Sequence, residues 1–217
     1  AEGARDAQRL GFDAVEIHGA HGYLIDQFFW EGTNQRTDGY GGSMAARGRF
    51  AVEVIEACRA EVGPEFPLIL RWSQWKQQDF TARLASTPQL LEAFLQPLID
   101  AGVDAFHCSQ RRFWEPEFDD SDMNLAGWVK KLTGMPTITV GSVSLDQDFV
   151  SQPSEGDGAT SEPASIDRLL EMMDRGDFDL VAVGRALIAN PDWPKVLRSG
   201  GTADLQPYNK DLLAELA

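Results

Sequence analysis

Asp13-Ala-Val-Glu-Ile-His-Gly-Ala-His-Gly-Tyr23 decides how this chain is read. Its first half alternates. Val15 and Ile17 fall on one face and Ala14, Glu16 and His18 on the other, the period of a β-strand over Asp13–His18. Its second half leaves that strand through His18-Gly-Ala-His21, followed at once by Gly22 and Tyr23. Four further apolar runs read as strands: Pro67–Arg71, Asp104–Cys108, Pro136–Gly141 and Asp179–Gly184. Helical patterns cover Ala4–Leu10, Met44–Glu61, Pro88–Ala101, Leu125–Thr133, Ile166–Arg175, Pro191–Leu197 and Lys210–Leu216. Ser43 is a good N-cap for the second of these.

Strand-helix alternation means parallel strands joined by helical crossovers, in an open doubly wound sheet or a (β/α)8 barrel. Strands that start at 13, 67, 104, 136 and 179 recur at about 42 residues, and eight such units need roughly 330 residues, within the range of barrels with insertions. The α/β chain is therefore expected to be the C-terminal five βα units, strands 4–8, of a TIM (β/α)8 barrel whose first three strands are missing. Residues 1–217 read as one partial barrel, with a polar insertion at about 151–165 and a C-terminal helical tail at about 203–217. Helix-to-strand turns are short and marked by Gly11, Gly102, Gly134 and Gly176, the expected C-cap chemistry. The long connections, 19–43, 72–87, 109–124 and 142–165, follow the C-terminal ends of strands, where barrel active sites are built.

Composition narrows the class. The 217 residues fit one domain, and 43% hydrophobic content is enough for a core. A net charge of −15 argues against a nucleic-acid or anionic-membrane partner. No stretch approaches about 18 consecutive apolar residues, and no charged-then-apolar leader marks secretion. Cys58 and Cys108 cannot make a disulfide framework or a four-thiolate metal site, which fits a reducing cytoplasm. The chain opens on Ala1 inside a helical pattern, so a longer parent protein is expected.

The candidate chemistry sits at strand ends. His18, His21 and Tyr23 can converge on one pocket. Imidazole N–H groups can hold a carbonyl oxygen and the negative charge that develops on it, and a phenol can donate a proton to a carbanion. The alternatives are ordinary loop histidines bonded to backbone, or metal ligation by His18, His21 and His107, for which no carboxylate or cysteine falls in register. Arg71 ends the second strand and needs an anion or an electron-rich ligand there, or an ion pair with Glu16 on the neighbouring strand. Val140-Gly141-Ser142 and Val183-Gly184-Arg185 close the last two strands. They read as simple turns or, taken as a pair, as a phosphate site of glycine backbone and arginine fork. Trp72, Trp75, Phe113 and Trp114 read equally as a pocket wall for a flat ligand and as loop packing. The acidic run 115–122 reads as a solvated loop face.

Three segments carry a resemblance. His18-Gly-Ala-His-Gly-Tyr-Leu-Ile-Asp-Gln-Phe28, Asn34-Gln-Arg-Thr-Asp-Gly-Tyr-Gly-Gly-Ser43 and Arg47-Gly-Arg-Phe50 closely resemble the Old Yellow Enzyme family of FMN-dependent ene-reductases. Val183-Gly-Arg-Ala-Leu-Ile-Ala-Asn-Pro191 is similar to that family's last strand and phosphate segment. The resemblance implies a barrel with FMN at its C-terminal mouth. It implies catalytic roles for His18 and His21, which bind the substrate carbonyl oxygen, and for Tyr23, the proton donor. It implies FMN contacts from Arg71 at the ring and from Gly141, Ser142, Gly184 and Arg185 at the phosphate. The implied reaction is ping-pong: NADH or NADPH reduces FMN, which then reduces the C=C bond of a small-molecule α,β-unsaturated carbonyl compound. Ala45-Ala46 depart from the family's usual Glu-Asn, and the family's further flavin contacts, on the first three strands, have no counterpart here.

On this reading the parent protein is a cytoplasmic NAD(P)H-dependent flavin oxidoreductase without a metal, and the chain alone is expected to bind FMN weakly or not at all. Open sheet edges favour a homo-oligomer or a missing N-terminal half-barrel as partner. Two rivals stand beside it: a catalytically silent barrel piece or association module, and a metal-dependent barrel hydrolase.

Overall fold

The computed structural model describes residues 1–148 and 160–214. Five strands, β1 (Val15–His21), β2 (Leu68–Lys76), β3 (Ala105–Ser109), β4 (Thr137–Val140) and β5 (Leu180–Val181), pair in parallel and in chain order. Helices α1 (Glu2–Arg9), α2 (Leu24–Phe29), α3 (Met44–Val62), α4 (Pro88–Asp100), α5 (Leu125–Thr133), α6 (Asp167–Asp174), α7 (Arg185–Ala189) and α8 (Trp193–Arg198) fill the connections. Two 3-10 turns, Thr202–Asp204 and Lys210–Leu213, follow α8, so the described start of the α-helix expected over Lys210–Leu216 coils more tightly; residues 215–216 of it lie outside the described residues. The element α2 lies in the connection 19–43, and α7 in residues to which the sequence assigned no helix, because six and five residues are too short to show a period.

Side-chain alternation divides the sheet into two faces. Leu68, Leu70, Trp72, Phe106 and Cys108 are fully buried in the core that also holds Ile55, Leu91, Leu95, Leu98 and Val129 of α3, α4 and α5. The opposite face carries Glu16, His18, Ile69, Arg71, His107, Ile138 and Leu180, and Leu180 is 58% exposed. Trp72 and Phe113, read as candidate pocket wall, belong to the core, and Trp114 packs against it.

Polar ties hold the N-terminal edge of the sheet. Asp104 accepts the Leu68 N–H at 2.7 Å and pairs with Arg59, whose guanidinium also donates to Gly63 O, Phe66 O and Gly102 O, each at 2.7 Å. Asp179 repeats the device, accepting the Thr137 N–H at 2.9 Å and Lys130 at 2.8 Å. Each aspartate precedes one strand and satisfies the first amide of its neighbour, which sets the register. The glycines expected past helix ends, Gly11, Gly102, Gly134 and Gly176, all adopt positive φ.

Residues 151–159 of the polar insertion lie outside the described residues. Its last part does not stand apart from the fold: Ser161 is fully buried and exchanges backbone hydrogen bonds with Tyr208 at 2.9 Å. Tyr208 packs with Leu145 and Ala186 in a second, small core.

Asn124 ties three elements together. Its side chain caps α5 by accepting the Gly127 N–H at 2.9 Å and donates to Phe113 O at 2.8 Å and to the β4 hydroxyl of Thr139 at 3.1 Å. Asn124→Ala removes the cap and strands a buried carbonyl, so it lowers unfolding free energy by about 2–3 kcal/mol, measured by urea denaturation.

Candidate active site

The site begins with a backbone reversal at the end of β1. His21 and Gly22 both take left-handed backbone, φ 64° and 82°, and the chain turns there into α2. A non-glycine residue at positive φ is strained and persists only where its surroundings over-determine it. They do so here. The His21 N–H donates to Ser73 Oγ at 3.0 Å, the Gly22 N–H to Asp26 Oδ2 at 2.7 Å, and Gln27 Nε2 to Gly22 O at 2.8 Å. Behind the turn, Lys76 Nζ donates to Asp26 Oδ1 at 2.7 Å and to Ser73 O at 2.8 Å. Both side chains of this pair are 0% exposed. Burial raises the pKa of Asp26 and lowers that of Lys76, and the attraction between them works against both shifts.

The reversal brings together the three residues expected to act on substrate. The His18 ring meets His21 at 5.3 Å and Tyr23 at 5.2 Å between centroids, edge to face in both cases. Tyr23 is 52% exposed. His21 stacks on Trp75 at 4.5 Å, and its Nε2 lies 2.7 Å from Ser109 Oγ. Trp75 is thus the one of the four candidate aromatics that lines the site, and its own N–H donates to Ser109 O at 3.1 Å. Burial, then the positive charge of Arg71 and its neighbours, drives the His21 pKa down to about 3. Burial followed by Arg71 also lowers the pKa of His18. Two neutral imidazoles beside a phenol suit a carbonyl ligand better than an anionic one.

Arg71 pairs in register with His18 on β1 and His107 on β3. Glu16 does not bond Arg71, the candidate partner from sequence. Instead the Nδ1–H of His107 donates to Glu16 Oε2 at 2.7 Å, across the intervening strand. Glu16 and His107 sit on the same face, on the two strands that flank Arg71. The Arg71 Nε is buried and has no hydrogen-bond partner among the described residues.

At the far side, the ends of β4 and β5 meet the same space. A cleft of about 330 Å³ is lined by His21, Arg71, Gly141, Ser142, Gly184 and Arg185, with Trp75 and Ser109 completing its wall. Arg185 donates to Ser161 Oγ at 2.9 Å, Ser142 Oγ at 3.2 Å and Gln147 O at 2.8 Å, which aims it at the cleft from a fixed position. Gly141, at φ 139°, admits no Cβ, which would meet Gln110 O at 2.7 Å. A Cβ on Gly184 would meet nothing within 4 Å. His18 stands beside the cleft through its ring contact with His21, and Tyr23 through its ring contact with His18.

Not every motif residue serves the site. Asn34 Nδ2 donates to Phe28 O and Tyr40 O, both at 2.7 Å, and Arg47 Nε to Phe29 O at 2.8 Å. These side chains hold the α2–α3 connection against α3. For the metal reading, no group of three His, Cys, Asp or Glu side chains is placed to hold an ion among the described residues. His107 and His21 each have one ring nitrogen engaged by protein. Sequence reasoning missed Asp26, Lys76, Ser73 and Ser109. Only the Asp26 position lay inside a quoted motif, and nothing in the spacing joins it to Lys76.

Residues 1–203 match the NADH:flavin oxidoreductase / NADH oxidase family, and the chain belongs to it. It is 34% identical over 197 residues to an NADH oxidase of Thermoanaerobacter brockii, covering 87% of this chain and 27% of that protein. It is 35% identical over 208 residues to 12-oxophytodienoate reductase 2 of Arabidopsis thaliana, covering 95% of this chain and 49% of that one. A solved structure of the old yellow enzyme homologue from Zymomonas mobilis superposes with a TM-score of 0.68 at 26% identity, over 94% of this chain and 50% of the other. The chain spans half or less of the length of these relatives. The fold is that of five consecutive βα units of a (β/α)8 barrel, and the expected Old Yellow Enzyme kinship holds.

Two predictions follow from the turn and its histidine. Lys76→Met leaves the Asp26 carboxylate buried and unpaired, and costs about 3–5 kcal/mol in denaturant unfolding, part of which Lys76→Met/Asp26→Asn recovers. The unfolded chain protonates His21 near the ordinary value of about 6.5, whereas the native chain does so near 3. Between those values the unfolded state binds the extra proton, so His21 makes stability fall on acidification from about pH 6.5. In an NMR titration its imidazole signals stay in the neutral form down to about pH 4, and His21→Asn removes this contribution to acid sensitivity.

Proposed function

We propose that the protein containing this chain is a flavin-dependent oxidoreductase that reduces the C=C bond of α,β-unsaturated carbonyl compounds at the expense of NADH or NADPH. One observation carries the reading: His21, Arg71, Gly141, Ser142, Gly184 and Arg185 line a single cleft, although they come from four different strands and the turns after them, Arg71 from within β2, which runs on to Lys76, rather than from its end as expected. Family membership supports a flavin and a nicotinamide reductant there.

FMN fits the residues present. The cleft lies within the usual size range of ligand pockets. The unpartnered, buried Arg71 Nε marks a guanidinium that the protein alone does not satisfy. On this reading Arg71 faces the ring and offsets negative charge on it. Arg185, braced by Ser142 and Ser161, holds the phosphate with the Gly184 backbone, where open space allows close approach. When bound, FMN supplies two-electron hydride chemistry. The chain's own groups do the rest. His18 and His21, neutral at physiological pH, donate N–H groups to the substrate carbonyl oxygen and stabilise the charge that develops on it. The Tyr23 hydroxyl gives its proton to the α-carbon. Trp75 walls the site and keeps His21 in place.

No helix among the described residues is long and apolar enough to cross a membrane. Two buried, unpaired thiols, Cys58 and Cys108, support a cytoplasmic location. The small-molecule enone remains the proposed partner.

Tyr23→Phe separates the two half-reactions. In stopped-flow measurements on the FMN-loaded protein, it slows enone reduction by about 10²–10⁴-fold and leaves flavin reduction by NAD(P)H unchanged. Equal rates for both proteins in the enone step contradict the assignment of Tyr23. Arg185→Gln weakens FMN binding at least tenfold by flavin fluorescence, an effect expected from losing a charge-assisted phosphate contact. A protein that takes up no flavin at any FMN concentration favours the association-module reading.

A further inference from the structure

The inner face of the sheet is almost devoid of negative charge. Among the residues of the five strands, Glu16 is the only aspartate or glutamate. It sits one step below a row that runs straight across the sheet, His18 on β1, Arg71 on β2 and His107 on β3, each paired in register with the next. One carboxylate therefore faces one permanent cation and two imidazoles of that row, with His21 beyond them at the strand end.

Its position is fixed. His107 is buried, and its Nδ1–H donates to Glu16 Oε2 at 2.7 Å. The other ring nitrogen, Nε2, is buried without a hydrogen-bond partner among the described residues. Glu16 itself adds one negative charge to this face, on the strand beside Arg71 and fixed by its bond to His107. Burial opposes ionisation of Glu16, but the His107 hydrogen bond and the neighbouring positive charges outweigh it and keep its pKa below the ordinary value. Glu16 is therefore charged throughout the physiological range.

We propose that Glu16 is a positioning residue that sets the electrostatic potential of the cofactor site: locked by His107, its charge offsets that of Arg71 and limits how strongly the site favours a reduced, anionic flavin over the oxidised one. The proposal rests on the flavin reading of the cleft. Two opposite charges that share one face nearly cancel for a ligand above them, whereas Arg71 alone presents a full positive charge in a partly water-excluded site. The site would then hold reduced flavin more tightly than a two-electron donor requires for onward hydride transfer. The same carboxylate acts on His18, which it favours in the protonated form against burial and against the charges of Arg71 and His107.

The experiment uses Glu16→Gln, which keeps size and removes charge, and Glu16→Asp, which restores charge on a shorter stem. In the FMN-loaded protein, spectroelectrochemical titration reads the flavin midpoint potential. Glu16→Gln raises the preference for reduced over oxidised FMN by about tenfold, a positive shift of about 30 mV for a two-electron couple, and Glu16→Asp returns most of it. An unchanged potential in Glu16→Gln with FMN bound overturns the proposal, as does an equal shift in Glu16→Asp, which would point to packing rather than charge. A second arm needs no flavin: NMR titration of His18 in the ligand-free protein. Glu16→Gln moves the His18 midpoint to lower pH, and an unmoved midpoint refutes control of this face by Glu16. Failure of the wild-type protein to take up FMN would instead refute the flavin reading and its cofactor half of the proposal, and the His18 arm would still decide whether Glu16 governs the row.

Discussion

In a sheet whose strands all run the same way, every strand ends at the same edge, and this constraint organises the molecule. Parallel pairing in chain order forces the returning connections to be helices on the opposite side and leaves the C-terminal edge to the long loops. Residues as distant in sequence as His21 and Arg185 can then share one cleft without either being part of a continuous motif. The aspartates at the other edge, Asp104 and Asp179, secure the register on which this depends. A shift of one residue would turn His18, Arg71 and His107 from the open face into the helix-packed core.

The second constraint is the treatment of charge. The turn that carries His21 is held by a lysine and an aspartate that contact no solvent. Such a pair is weak grounds for added stability, because taking both ions out of water costs about as much as their attraction returns. Its value here is geometric. It gives the left-handed His21-Gly22 step fixed acceptors, and it turns Tyr23 back toward His18. Arg71 is the contrast: a guanidinium on the open face with an unsatisfied Nε and a single carboxylate nearby. That unsatisfied donor is what the proposed flavin contact would engage.

The motif stretches separate into chemistry and scaffolding once the contacts are known. His18, His21 and Tyr23 gather at the end of β1, His21 in the cleft wall, while Asn34 and Arg47, which belong to the same family resemblance, spend their hydrogen bonds on backbone carbonyls of the β1–α3 connection. Sequence similarity weighs both kinds alike, since a loop that must hold one conformation constrains its side chains as tightly as a reaction does. The aromatic residues divide in the same way. Trp72 and Trp75 are three apart on an extended strand and so point to opposite faces, one into the core and one into the cleft.

The linear order of residues was enough to determine the strand-helix alternation, the parallel sheet and the strand ends where reactive side chains gather, because period, glycine turns and capping residues act within a few positions of one another. It was also enough for the His-Gly-Ala-His-Gly-Tyr turn, whose members are local. The partners of those residues were decided only by the folded chain. Glu16 bonds His107 and not Arg71, Lys76 meets Asp26, and Ser109 meets His21, at separations of 91, 50 and 88 residues. Contacts of that range depend on strand register and side-chain reach, which are properties of the assembled sheet and leave no spacing signal in the chain.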